Sequence, residues 1–186
     1  MIDSPSTVKK TIEEGEEAVE WKDNEGVYVS YNWESSSLHI VDYLCTVLEN
    51  KGIPYKRDKK DCHYLDNIKE FMDSISAGNT VIVVFSKPYL KSKNCMYELT
   101  VILEDPCYKD RILSGVVDDT IRDSLFYVEL VRHWKEERDK QKNVVEEIRK
   151  IDPKMAKPEK VRLAEIKKVY DFLMVIKDYI DWTNAD

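Results

Sequence analysis

Glycine is scarce in this chain. Five glycines among 186 residues stand apart at Gly15, Gly26, Gly52, Gly78 and Gly115. None fits GxGxxG, GxxxxGKS or GxxxxGKT, which excludes a dinucleotide fingerprint and a P-loop, since both need closely spaced glycines to bring backbone N–H groups against phosphate. HExxH and GxSxG are also missing, and zincin and α/β-hydrolase chemistry go with them. Cys45, Cys62, Cys95 and Cys107 form no CxxC pair and meet no histidine at metal spacing, so no metal site is expected. Cys45, Cys95 and Cys107 sit in apolar or helical patterns, which points to reduced thiols in a cytoplasmic protein. No apolar run approaches the roughly 20 residues that span a bilayer, and no signal peptide opens the chain, so no membrane partner is expected. Basic surplus is missing too: the net charge is −7, and nucleic-acid binding needs clustered Lys and Arg. The three histidines, His39, His63 and His133, pair with no nucleophile at usable spacing.

What is present is a packed globule. Apolar residues make up 42% of the chain and tyrosines number 11, enough for one core and one domain. Residues 1–24 are acidic and polar and read as a leader joining a further module, followed by a domain over 25–182. The pattern predicts a first strand at Val27–Tyr31, then a helix with Leu38, Val41, Leu44, Cys45 and Leu48 at helical spacing and Gly52 as its stop. Ile53–Arg57 reads as an edge strand because of Pro54. A charged loop leads into a helix carrying Ile68, Phe71, Met72 and Ile75. Thr80–Phe85 is an unbroken β-branched run, the mark of a strand buried on both faces. Arg111–Val117 is a fourth strand, and Leu125–Val128 a weakly signalled fifth. Helices over about 127–150 and 161–182, separated by Pro153 and Pro158, close the chain. Strand–helix alternation with short connections requires a parallel sheet, here a flavodoxin-like, doubly wound one of four to five strands with helices on both faces and a helical C-terminal tail.

The stretch from Ser86 to Leu99 is the most informative. Pro88 and the serines break the chain after the buried strand, and Cys95, Leu99, Ile102 and Leu103 then repeat at helical spacing. Glu98 borders that stripe near a strand's C-terminal end, where ligands of open α/β sheets bind. A carboxylate there can be partly desolvated, with a raised pKa or with a charge available to meet a cation. The plainer alternative is a first-turn glutamate favoured by the helix dipole.

Three separated pieces resemble one family. Val27-Tyr28-Val29-Ser30-Tyr31 is similar to the opening strand of Toll/interleukin receptor (TIR) domains, and Asp58 to the aspartate that begins their BB loop. Phe85-Ser86 with Tyr89, Ser92, Cys95, Glu98 and Leu99 resembles their third-strand-to-helix motif. The core of the match runs over 27–119, and the helical part over 120–182 looks like that of bacterial members.

The resemblance implies one of two functions. Some TIR domains are scaffolds acting by self-association. Others cut the nicotinamide–ribose bond of NAD, giving nicotinamide and ADP-ribose or a cyclic isomer, and carry a glutamate where Glu98 stands. The second class implies an effector of a bacterial defence or cell-death system, with NAD as substrate and no cofactor. The bond breaks through an oxocarbenium-like cation, and nicotinamide leaves neutral without protonation, so one carboxylate suffices where O-glycosidases need two. The implied substrate contacts are Tyr31, Asn32, Trp33, Asp58, Lys59, Tyr64, Ser86 and Cys95. Lys59, Lys60, Arg57 and the helix starts near Ser35 and Ser92 are candidates for phosphate, and the loop 59–67 for self-association. Asn94 stands where many enzymatic members have Trp, which removes an aromatic wall that Tyr31, Trp33, Tyr64 or Tyr97 would have to replace.

Overall fold

The computed structural model describes residues 26–33, 35–57, 80–104, 106 and 108–182. Its elements run β1 (Val27–Tyr31), α1 (Ser35–Asn50), β2 (Tyr55–Arg57), β3 (Thr80–Phe85), α2 (Lys87–Lys91), α3 (Lys93–Leu103), α4 (Tyr108–Arg111), β4 (Ile112–Val116), a 3-10 turn (Asp119–Arg122), α5 (Ser124–Ile151) and α6 (Lys157–Trp182). The expected helix at 68–75 lies outside the described residues.

Among the described residues, four strands form one parallel sheet in the order β2-β1-β3-β4. Val27 of β1 stands opposite Tyr55 of β2 on one side and Thr80 of β3 on the other, and Val81 of β3 stands opposite Ile112 of β4. The strand order reverses between β1 and β3. With right-handed crossovers, that reversal sends the helices of the two halves to opposite faces. The architecture is therefore the flavodoxin-like, doubly wound sheet that the alternation of elements predicts.

Period-two alternation separates two cores. Val27, Val29 and Tyr31 of β1 and Val84 of β3 face α1, where Val41, Cys45 and Leu48 meet them. Tyr28, Val81, Val83 and Phe85 face the other way, into a larger core built with α2, α3, α5 and α6. Both long strands are thus covered twice, which is why they read as continuous apolar runs rather than alternating ones.

The boundaries follow local chemistry. Gly52 ends α1 at φ 65°, its N–H bonding Glu49 O at 2.9 Å while Ile53 N–H bonds Leu48 O at 2.9 Å, a turn only glycine makes without strain. β2 begins two residues later than expected and does lie at the sheet edge. The weakly signalled strand at Leu125–Val128 is helix instead: Asp123 starts α5, and Phe126, Leu130 and Trp134 bury one face at helical spacing. The last helix begins at Lys157, with Pro158 in its first turn, where proline lacks no needed donor.

Candidate active site

The point of reversal between β1 and β3 is where this fold offers a crevice, and the motif residues converge there. Ser86 follows β3 directly and caps α2, its Oγ accepting from Tyr89 N–H at 3.2 Å. Ser92 ends α2 and caps α3, accepting from Cys95 N–H at 3.4 Å. Two serine caps six residues apart therefore break the chain into a five-residue and an eleven-residue helix. The break turns the start of α3 toward the end of β1. Asn32, just past β1, spans the gap: its Nδ2 donates to Pro88 O at 3.5 Å and to Cys95 Sγ at 3.9 Å. Cys95 Sγ in turn reaches Tyr31 O at 3.8 Å.

Glu98 lies in the second turn of α3 with no exposed surface, so the reading as a first-turn residue facing the dipole fails. It approaches β1 on the face that carries Ser30, whose Oγ donates to Glu98 Oε2 at 2.9 Å. The Tyr89 hydroxyl lies 2.8 Å from the same Ser30 Oγ. All three residues are buried. Burial and the charges of Glu98 and Cys95 push the Tyr89 phenol well above its ordinary value, against the opposing effect of its bond to Ser30. At neutral pH the phenol therefore keeps its proton.

The other expected contacts divide. Tyr31 ends β1 but faces α1, on the side away from Glu98, where its buried ring stacks on half-buried Trp33 at 5.9 Å and 20°. Asn32, Ser86 and Cys95 do gather beside the motif. Asp58, Lys59, Tyr64 and the loop 59–67 lie outside the described residues. Arg57 is held by Asp42 at 2.5 Å, and the Ser92 hydroxyl is taken up by its cap.

Asn94 lines a cavity of about 150 Å³ between α3 and the last two helices, together with Tyr97, Trp134, Gln141 and Arg162. Trp134 is wholly buried there, its indole N–H donating to Leu90 O at 2.9 Å. Trp134 of α5 and Tyr97, one of the four rings considered for the aromatic wall, thus both line the cavity with Asn94. Tyr97 faces this cavity, with Lys168 Nζ 5.4 Å from its ring centroid.

Ser30 and Tyr89 are the polar partners that pattern reading missed. Their signal was available: alternation in Val27–Tyr31 places Ser30 on the face of Tyr28, toward α3. Among the described residues no cluster of His, Cys, Asp and Glu could hold a metal ion, and no helix is long and apolar enough to cross a membrane.

Comparison with known proteins agrees with the geometry. A family model described as "TIR domain" matches residues 27–146. The disease resistance protein RUN1 of Vitis rotundifolia is 31% identical over 85 residues, covering 46% of this chain and 6% of that protein. The chain therefore spans only a small part of that relative's length. No solved structure matches the chain significantly.

Proposed function

This chain belongs to the TIR domain family, and from that premise we propose that it cleaves the nicotinamide–ribose bond of NAD with Glu98 as the catalytic carboxylate. The observation that carries the reading is the burial of Glu98, held by the Ser30 hydroxyl of β1, the strand beside which the strand order reverses. A negative charge in a water-poor site stabilises a developing ribosyl cation far more than it would in water. Nicotinamide departs as a neutral base, so no acid is required of the neighbouring residues. Asn32 and Cys95, lining the same end of β1, are the nearest candidates for contact with the ribose. The product is ADP-ribose or a cyclic isomer, according to which nucleophile reaches the cation first. A cytoplasmic effector role in bacterial defence, with a further module and with assembly through the loop 59–67, completes the proposal.

Complete burial of Glu98 favours a second reading. In the conformation described, NAD reaches the carboxylate only if neighbouring side chains move. A non-catalytic adaptor acting by TIR–TIR association would use the same glutamate as an internal strut. Incubating concentrated protein with NAD and following nicotinamide separates the two. Release that falls at least about a hundredfold in Glu98→Gln, as expected for loss of a charge acting in the transition state, supports catalysis. Equal release by wild type and Glu98→Gln rules out the role given to Glu98, and none from wild type at any concentration supports the adaptor.

A further inference from the structure

We propose that Tyr89 and Ser30 are positioning residues that form a directed hydrogen-bond relay, Tyr89 to Ser30 to Glu98, holding the Glu98 carboxylate charged and in one orientation. Its catalytic importance rests on the NAD-cleaving reading, but the relay itself can be tested without any turnover.

The direction follows from proton counting. Serine has a single hydroxyl proton. If Ser30 Oγ gives that proton to Glu98 Oε2 at 2.9 Å, the 2.8 Å contact with Tyr89 is made only by the phenol donating. The phenol is protonated at neutral pH, since burial and nearby negative charge resist its ionisation. Each donor strengthens the next, because a hydroxyl that accepts a bond becomes a better donor. The arrangement reverses only if Glu98 takes up a proton: Glu98 then donates to Ser30, and Ser30 to Tyr89. The charge on Glu98 and the direction of the relay are therefore one variable.

Each member is fixed by a different element. Ser30 is set by the strand alternation of β1, inside the sheet. Tyr89 is set by α2, whose cap at Ser86 ties it to the end of β3. Its ring is held edge-on by Phe85 at 5.5 Å, and Phe85 is itself met by Tyr179 of α6 at 6.2 Å. Three elements must thus be in register before the carboxylate gains its donor. The titratable groups facing the Tyr89 phenol are Glu98 and Cys95 of α3. β1 contributes the Ser30 hydroxyl, and β3 the apolar Phe85.

The test is a carbon-13 titration of the Glu98 carboxyl, in glutamate-labelled protein, with the signal assigned by its loss in Glu98→Gln. Ser30→Ala removes the donor to the carboxylate, and the Glu98 midpoint is expected to rise by about one unit, the worth of one hydrogen bond to a charge. Tyr89→Phe keeps that donor but weakens it, so a smaller rise is expected. The double variant Ser30→Ala/Tyr89→Phe should match Ser30→Ala alone, with the stranded phenol removed as a source of misfolding. The acid limb of any pH–rate profile should move with the midpoint. A Glu98 midpoint unchanged or lowered in Ser30→Ala and in the double variant overturns the relay. Should Ser30→Ala fail to fold, an unchanged midpoint in Tyr89→Phe does so. A wild-type chain that releases no nicotinamide, while its Glu98 midpoint responds as expected, refutes the NAD reading and leaves the relay standing.

Discussion

On one face of the sheet, Val27, Val29, Tyr31 and Val84 meet Val41, Cys45 and Leu48 of α1, and among the described residues no charged side chain is buried there. On the other, Phe85, Tyr89, Trp134 and Tyr179 surround a core that also takes in Ser30, Glu98 and Thr100, all fully buried. The first face is held by shape and by loss of water from aliphatic surface, so any side chains of similar volume would serve. The second also holds a buried carboxylate, and an unmet buried polar group costs about 1–3 kcal/mol, more when it is charged. Order on that side is set by direction as well as volume, and a carboxylate can be kept there only at the expense of a dedicated set of donors. The buried carboxylate and its serine donor thus belong to one face of the sheet.

Three substitutions probe that contrast. The largest effect is expected from Trp134→Ala, which empties the biggest fully buried side chain and removes the bond to Leu90 O. A loss of about 3–5 kcal/mol in chemical denaturation is expected. Because Leu90 adjoins Tyr89 on α2, the Glu98 midpoint should move too. A cost no greater than that of an α1-face truncation would break the contrast. Val41→Ala on the α1 face is next, with about 2 kcal/mol lost to the missing methyl groups and the cavity they leave. Nicotinamide release per folded molecule and the Glu98 midpoint should be unchanged; a shift in either would show that the faces are coupled through the sheet.

Tyr89→Phe gives the smallest effect and the sharpest one. At neutral pH it should cost about 1 kcal/mol, the net value of one buried hydrogen bond. The phenol ionises at about pH 10 in the unfolded chain, whereas in the folded state its ionisation is pushed well above that. The unfolded state therefore loses this proton first as pH rises. The stability contributed by the neutral phenol is complete below about pH 10 and declines above it. Phenylalanine has no such dependence, so the gap between wild type and Tyr89→Phe should narrow in alkaline denaturation curves. A gap independent of pH would mean that the phenol ionises in the folded state as it does in the unfolded chain.

Much of this architecture can be read in the chain itself. The run Thr80–Phe85 has the composition of a doubly covered strand and is one, and Pro54 marks β2 as the edge. Gly52 ends α1 because its φ is positive. The run Leu125–Val128 misleads because four apolar residues fit a short strand and a helical segment equally well; only their register with Leu130 and Trp134 decides for helix. At the site, Glu98 stands out because motif and sheet geometry point to the same crevice. Tyr31 does not join it, since consecutive residues of a strand face opposite ways and Ser30 holds the inward position. The role of Asn94 depends on α5 crossing beside α3, a contact separated by 40 residues of sequence from position 94 to Trp134. Local pattern carries no trace of such a contact.

The aromatic line from Tyr179 through Phe85 to Tyr89 has a consequence for what counts as a unit in this molecule. The segment shared with the family ends at residue 146, within α5, whereas Tyr179 belongs to α6. Ile166, Val169, Leu173, Ile176 and Ile180 of the same helix are buried in the larger core. What is inherited in common and what folds together therefore have different lengths. A piece cut at the inherited boundary would keep Glu98, Ser30 and Tyr89 yet leave Phe85 open to water on the side that α6 covers.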